Sequence, residues 1–123
     1  MDNRRQFARI ARQLDVDIVF DKPIAGTTLD LSLKGLFVVS ESQLEMGTAV
    51  GCTIYVDGRD GSVRIATLGK VVRSTREGMA IEFSALNGLE SYEHLQRLLL
   101  LCAGDQMEQI EREFAGHIGL KVR

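Results

Sequence analysis

Thr27-Thr28-Leu29-Asp30-Leu31-Ser32-Leu33-Lys34-Gly35-Leu36-Phe37-Val38-Val39-Ser40 decides how this chain is read. Polar side chains alternate with apolar neighbours, so the stretch is predicted as two strands, 27–32 and 36–40, joined by Leu33-Lys34-Gly35. Successive side chains of an extended backbone point to opposite faces. Leu29 and Leu31 are therefore expected on one face, with Thr28, Asp30 and Ser32 on the other. A carboxylate and a hydroxyl then stand side by side on one surface. Gly35 follows them, a residue suited to a tight turn or to close approach of a ligand to the backbone.

The same alternation runs outward in both directions. Upstream, Val16, Ile18 and Phe20 share a face opposite Asp17 and Asp21, and Asp21-Lys22-Pro23-Ile24-Ala25-Gly26 reads as a turn. Downstream, Val50, Cys52, Ile54 and Val56 alternate with Thr53 and Tyr55, and Asp57-Gly58-Arg59-Asp60-Gly61 signals a hairpin. Residues 62–75 read as a long strand whose apolar face switches between Val63/Ile65 and Leu68/Val72, which predicts a bulge near 67–69. Met79, Ile81 and Phe83 form a last strand. After Asn87-Gly88 the period becomes helical, with Leu89, Tyr92, Leu95, Leu99 and Cys102 on one face. Gly104 either divides this helix from a second one, capped by Asp105 with Glu108 completing a capping-box pair, or interrupts a single helix at about 1 kcal/mol relative to alanine. Met107, Ile110, Phe114 and Ile118 make the stripe beyond it. Six antiparallel strands followed by helix give an all-β barrel or sandwich with a helical cap.

With 123 residues and a formal net charge of −2, the chain reads as one domain that does not hold nucleic acid mainly by phosphate attraction. Positive charge is concentrated at Arg4, Arg5, Arg9 and Arg12, opposed there only by Asp2. A single-stranded nucleic-acid barrel would need exposed aromatics on a basic face, yet Phe20 and Phe83 fall on predicted core faces and there is no tryptophan. Cys52 and Cys102 lie far apart on apolar faces, without the spacing of a metal or iron–sulfur site, and read as reduced, buried thiols. No amino-terminal apolar region marks a leader, and the run Leu98–Leu101 is far too short to span a membrane. A cytoplasmic protein is expected.

No catalytic set emerges. His94 and His117 lie on the helical segments, remote from Asp30 and Ser32, and Ser32 lacks a Gly-x-Ser-x-Gly context. Phosphate-loop and dinucleotide fingerprints are absent. A binding site fares better. Arg5 and Arg9, four residues apart, converge on one side in helix and strand alike. Folded over the face carrying Asp30 and Ser32, they would offer forked donors for phosphate oxygens or guanine O6 and N7, while Asp30 accepts from guanine N–H groups.

These residues resemble a known family. Arg5-Gln6-Phe7-Ala8-Arg9 and Asp30-Leu31-Ser32-Leu33-Lys34-Gly35 are complete copies of the Arg-x-x-x-Arg and Asp/Asn-x-Ser-x-x-Gly motifs of PilZ domains, the bacterial cyclic di-GMP receptors. Gly69-Lys70-Val71-Val72-Arg73, Gly78-Met79-Ala80-Ile81-Glu82-Phe83 and the leucine-rich helix are similar too, and the resemblance covers 4–101. It implies a six-stranded antiparallel PilZ-type β-barrel with one or more carboxy-terminal α-helices. The expected organisation is an arginine-rich ligand-binding arm (1–12), a barrel with its helix (13–103) and a helical extension (104–123). The resemblance also implies a non-enzymatic receptor that binds cyclic di-GMP between arm and barrel, without cofactor or metal, and signals to a downstream protein partner. Arg5 and Arg9 would grip phosphates and guanine edges, Asp30 and Ser32 the other guanine, and Gly35 would permit the turn. Arg4, just before the first motif arginine, favours an intercalated ligand dimer, and Arg73 is a further contact. The alternative is a nucleotide-independent adaptor that docks, or dimerises, through its carboxy-terminal helices.

Overall fold

The structure is a computed structural model that describes residues 7–116 and 121–122. Its strands are β1 (Ile10–Ala11), β2 (Asp15–Val19), β3 (Pro23–Ser32), β4 (Gly35–Ser40), β5 (Ala49–Tyr55), β6 (Arg64–Ser74) and β7 (Gly78–Leu86). Helix α1 (Leu89–Leu101), a 3-10 turn (Gly104–Gln106), α2 (Met107–Gly116) and the short β8 (Lys121–Val122) follow. Six strands close a ring in the order β2-β3-β4-β7-β6-β5 and back to β2, every pairing antiparallel. The expected six-stranded barrel is present. Closure leaves no long strand edge in the ring.

Inward positions of every strand in the ring fill the core: Val16 and Ile18 from β2, Leu31 from β3, Leu36 and Val38 from β4, and Ile54, Ile65, Ile81 and Phe83 from the others. Helix α1 lies on β6 and β7, burying Leu95, Leu98 and Leu99, and the Ser91 hydroxyl accepts the Ala66 N–H at 3.0 Å. Helix α2 packs on α1 through Ile110 and Phe114, whose ring meets Tyr92 edge-on at 5.5 Å between centroids. Helix α1 ends at Leu101 with Cys102 as its cap, and Gly104, at φ 57°, turns the chain into the 3-10 segment, so of the two readings left open the chain takes the one with two helices. Asp105 lies inside the 3-10 turn and caps nothing; Ala103 occupies the capping position.

Four local expectations change. The opening stretch does not keep its alternation, because the β3–β4 register shifts between Thr28 and Asp30. Thr28 turns into the core and Leu29 becomes 44% exposed. Phe20 lies beyond the end of β2 and is 59% exposed, so it is not a core residue. In β6 the inward row Ile65, Thr67, Gly69, Val71 is unbroken, with Leu68 and Val72 outward. The expected irregularity does occur between Leu68 and Gly69, but the extra residue is Ser84 in β7; a second shift leaves Val72 unpaired. The expected arm, 1–12, carries a strand of its own: β1 pairs with β3 through Ile10↔Leu31 and Ala11↔Asp30.

Candidate functional site

The β3–β4 hairpin turns on two residues, Leu33 and Lys34, with Ser32 paired to Gly35. Leu33 is buried and anchors the turn to the core. The Ser32 hydroxyl donates to the Gly35 carbonyl at 3.3 Å and accepts the Lys34 N–H at 3.2 Å, which locks the loop. Ser32 is 1% exposed, so its hydroxyl serves the turn and does not stand on the open face. Gly35 has no positive φ. A Cβ there would stand 2.2 Å from the Ile81 carbonyl oxygen. Glycine is required because β4 runs hard against the backbone of β7.

Asp30 faces outward. Its carboxylate holds the Arg9 guanidinium at 2.5 Å, with the side chains 34% and 50% exposed respectively. Arg9 is brought there by the root of the arm. Ala8 and Ile10 are buried, and β1 continues the edge of β3 past the end of β2. Between β1 and β2 the buried Thr28 hydroxyl accepts the Leu14 N–H at 2.9 Å and donates to the Arg12 carbonyl at 2.6 Å. One side chain thus repairs the break in the ladder. From the other side α2 and the turn before it hold the arm: the Glu113 carboxylate accepts the Ala8 N–H at 2.8 Å, and the Gln106 amide donates to the Arg9 carbonyl at 3.1 Å.

Cross-strand neighbours carry the face on from Asp30. Asp30 pairs with Phe37, Phe37 with Ala80, and Ala80 with Arg73. The Arg73 guanidinium lies over the Phe37 ring, 5.7 Å from its centroid. Three strand steps of about 4.8 Å each make this row roughly 14 Å wide. The structure therefore brings together Arg9, Asp30 and Arg73, and turns Ser32 and Gly35 into the hairpin beside them. Arg4 and Arg5 lie outside the described residues, as do His117 and Ile118.

Phe37, Gln106 and Glu113 were not singled out from the sequence, and Thr28 was expected on the outward face rather than in the core. Phe37 carried a usable signal: a two-residue loop at 33–34 places 37 opposite 30, whereas a three-residue connection does not. A separate polar cluster on the barrel wall is self-contained. The Tyr55 hydroxyl donates to Asp17 at 2.8 Å, Arg59 pairs with Asp17 at 2.9 Å, and Arg59 and Arg64 lie 4.9 and 5.0 Å from the Tyr55 ring centroid. The hydrogen bond to Asp17, with burial and the Asp17 charge, pushes the Tyr55 pKa upward. Among the described residues no group of three His, Cys, Asp or Glu side chains is placed to hold a metal ion, and no helix is long and apolar enough to cross a membrane.

The family model described as "PilZ domain" matches residues 3–101. No curated protein matches the chain. Among solved structures, the Bacillus subtilis inhibitor of motility (MotI/DgrA) superposes with a TM-score of 0.67 at 23% identity, over 87% of this chain and 53% of that one. The chain thus spans about half the length of that protein. The PilZ domain of Escherichia coli YcgR, solved with c-di-GMP, gives 0.63 at 15% identity over 89% and 98%. The PilZ domain of CeSA from a cellulose-synthesizing bacterium gives 0.56 at 18% over 80% and 98%. At these identities the likeness is one of fold.

Proposed function

The chain belongs to the PilZ domain family, and from that premise we propose that it is a non-enzymatic, cytoplasmic receptor for cyclic di-GMP. The observation that carries the reading is the Arg9–Asp30 pair, standing at the root of an arginine-bearing arm and at one end of an outward row with Phe37 and Arg73. Each partner has the chemistry for one part of a guanine dinucleotide. Arg9 offers a planar fork to a phosphate or to guanine O6 and N7, and Asp30 accepts from guanine N–H groups. Arg9 and Asp30 hold one another, so both are kept near the positions in which a ligand would meet them. Phe37, with Arg73 over its ring, offers a flat surface against which a base can lie.

Arg5 and Arg4 complete the reading as arm cations, with Arg4 favouring an intercalated pair of ligands. Ser32 and Gly35 act at one remove, by fixing the hairpin that presents Asp30. Binding moves the arm, and a downstream protein partner reads the altered surface.

Calorimetric titration with cyclic di-GMP tests this. The wild-type chain should bind, and Arg9→Ala, which removes a charged contact worth about 1.5–3 kcal/mol, should bind roughly ten- to over a hundredfold more weakly. Absence of binding by the wild type, or equal binding by Arg9→Ala, would refute the proposal. A ligand ratio near one in place of two would remove the ligand pair alone. Phe37→Ala should weaken binding by about fivefold or more if a base rests on the ring.

A further inference from the structure

Helix α1 has a second face that neither the barrel nor α2 covers. Leu89, Glu93, Arg97 and Leu101 recur every fourth residue along it, and all four are exposed. Leu101 is 78% exposed, more than any other large apolar side chain among the described residues, and Leu89 is 63% exposed. Residues four apart form one of the ridges by which helices pack on each other. Here the ridge is about 18 Å long, at about 1.5 Å per residue. Glu93 and Arg97 have the spacing of an intrahelical ion pair, yet among the described residues neither makes one.

The order of side chains along this ridge is Leu, Glu, Arg, Leu, which is its own complement when reversed. Two copies laid antiparallel about a twofold axis at position 95 set Leu89 of each against Leu101 of the other, and Glu93 of each against Arg97 of the other. Beside the ridge runs an open groove of ≈ 480 Å³ lined by Glu93, Gln96, Arg97, Leu100, Leu101 and Met107. In the antiparallel register Leu89 of the second copy reaches the Leu101–Met107 end of that groove.

We infer that the outer face of α1 is an isologous docking surface for a second copy of this chain, with two symmetry-related Glu93–Arg97 pairs setting the register between Leu89–Leu101 contacts. A parallel arrangement would set like charge against like, so the charges choose the orientation. A single helix pair is small beside the standard 1,200–2,000 Å² or so of a stable interface. The dimer is therefore weak and concentration-dependent.

Sedimentation of the full chain over a concentration series, without nucleotide, tests this. The average mass should climb from 13.6 kDa toward twice that value. Arg97→Glu replaces both attractive contacts by repulsive ones and should raise the dissociation constant by about tenfold or more. Adding Glu93→Arg to it recreates both pairs with their signs exchanged and should restore association to within about threefold of wild type. Leu101→Glu should remain monomeric, with a far-ultraviolet circular dichroism spectrum like that of wild type. A wild type monomeric at every concentration would overturn the inference. So would single variants that associate as well as wild type, or a double exchange no better than Arg97→Glu alone.

Discussion

Gly35→Ala separates two roles for the glycine of the hairpin motif. If glycine is there so that a ligand can approach the backbone, alanine should weaken binding and leave the fold untouched. The structure predicts the reverse. The new Cβ would stand 2.2 Å from the Ile81 carbonyl oxygen, 3.2 Å from the Ile81 carbonyl carbon and 3.3 Å from Glu82 Cα. Carbon–oxygen contacts between strands settle at about 3.3–3.6 Å, so β4 and β7 must part by roughly 1 Å. All three obstructing atoms are backbone, held in the β4–β7 ladder, and no flexible side chain can yield in their place. Overpacking of this kind costs about 1–3 kcal/mol, and the rigid obstruction puts this site at the upper end. For a domain of this size that corresponds to a fall in Tm on the order of 10 °C. Urea unfolding of Gly35→Ala beside wild type reads the loss directly, and calorimetry on the fraction still folded reads ligand affinity. A variant within about 0.5 kcal/mol of wild type in stability, the range of an ordinary surface substitution, would refute the reasoning.

Three further outcomes are expected. Thr28→Val keeps the shape of a buried side chain but strands the Leu14 N–H, costing about 1–3 kcal/mol and exposing the amides of 10–14 to hydrogen exchange; Thr28→Ser should retain their protection, and equal exchange in both variants would count against the repair role. Glu113→Ala removes the carboxylate that holds the Ala8 N–H and should raise exchange at Ala8 by about tenfold or more, measured by amide exchange; unchanged protection would show that α2 does not hold the arm. Burial pushes the Cys52 thiol from 9.0 up to about 12. Between those values the unfolded chain has lost a proton that the folded chain keeps, so stability falls as pH rises, by about 1.4 kcal/mol per unit. The stability difference between wild type and Cys52→Ala should therefore decline from pH 9 to pH 11, and a flat difference would contradict it.

Alternation alone was enough to read six strands, because each has one wet and one dry face, but it left barrel and sandwich open. It failed where pairing slips. At Thr28–Leu29 a polar residue goes inside and a leucine outside, and only the partner strand determines that shift. The Arg9–Asp30 contact was legible because the two motifs name residue types that attract one another. The Phe37–Arg73 stack was not, since it depends on the register of two successive strand pairings, the second of them shifted. Ser32 and Gly35 were recognised, but their atoms answer to the hairpin and to Ile81. Ala8 and Glu113 meet across 105 positions of sequence, a separation at which no local pattern operates.

That last contact ties two equilibria into one. The arm rests on α2 through Ala8 and on the turn before it through Arg9, so the free energy of docking this helical segment and the free energy of placing the arm share a term. Reciprocity follows by thermodynamic necessity. A ligand that draws the arm away from Glu113 and Gln106 loosens α2 by some factor. A protein that captures α2 changes the affinity of the arm for that ligand by the same factor. The arm root and α2 are in this sense a single lever, joined across 105 positions of sequence.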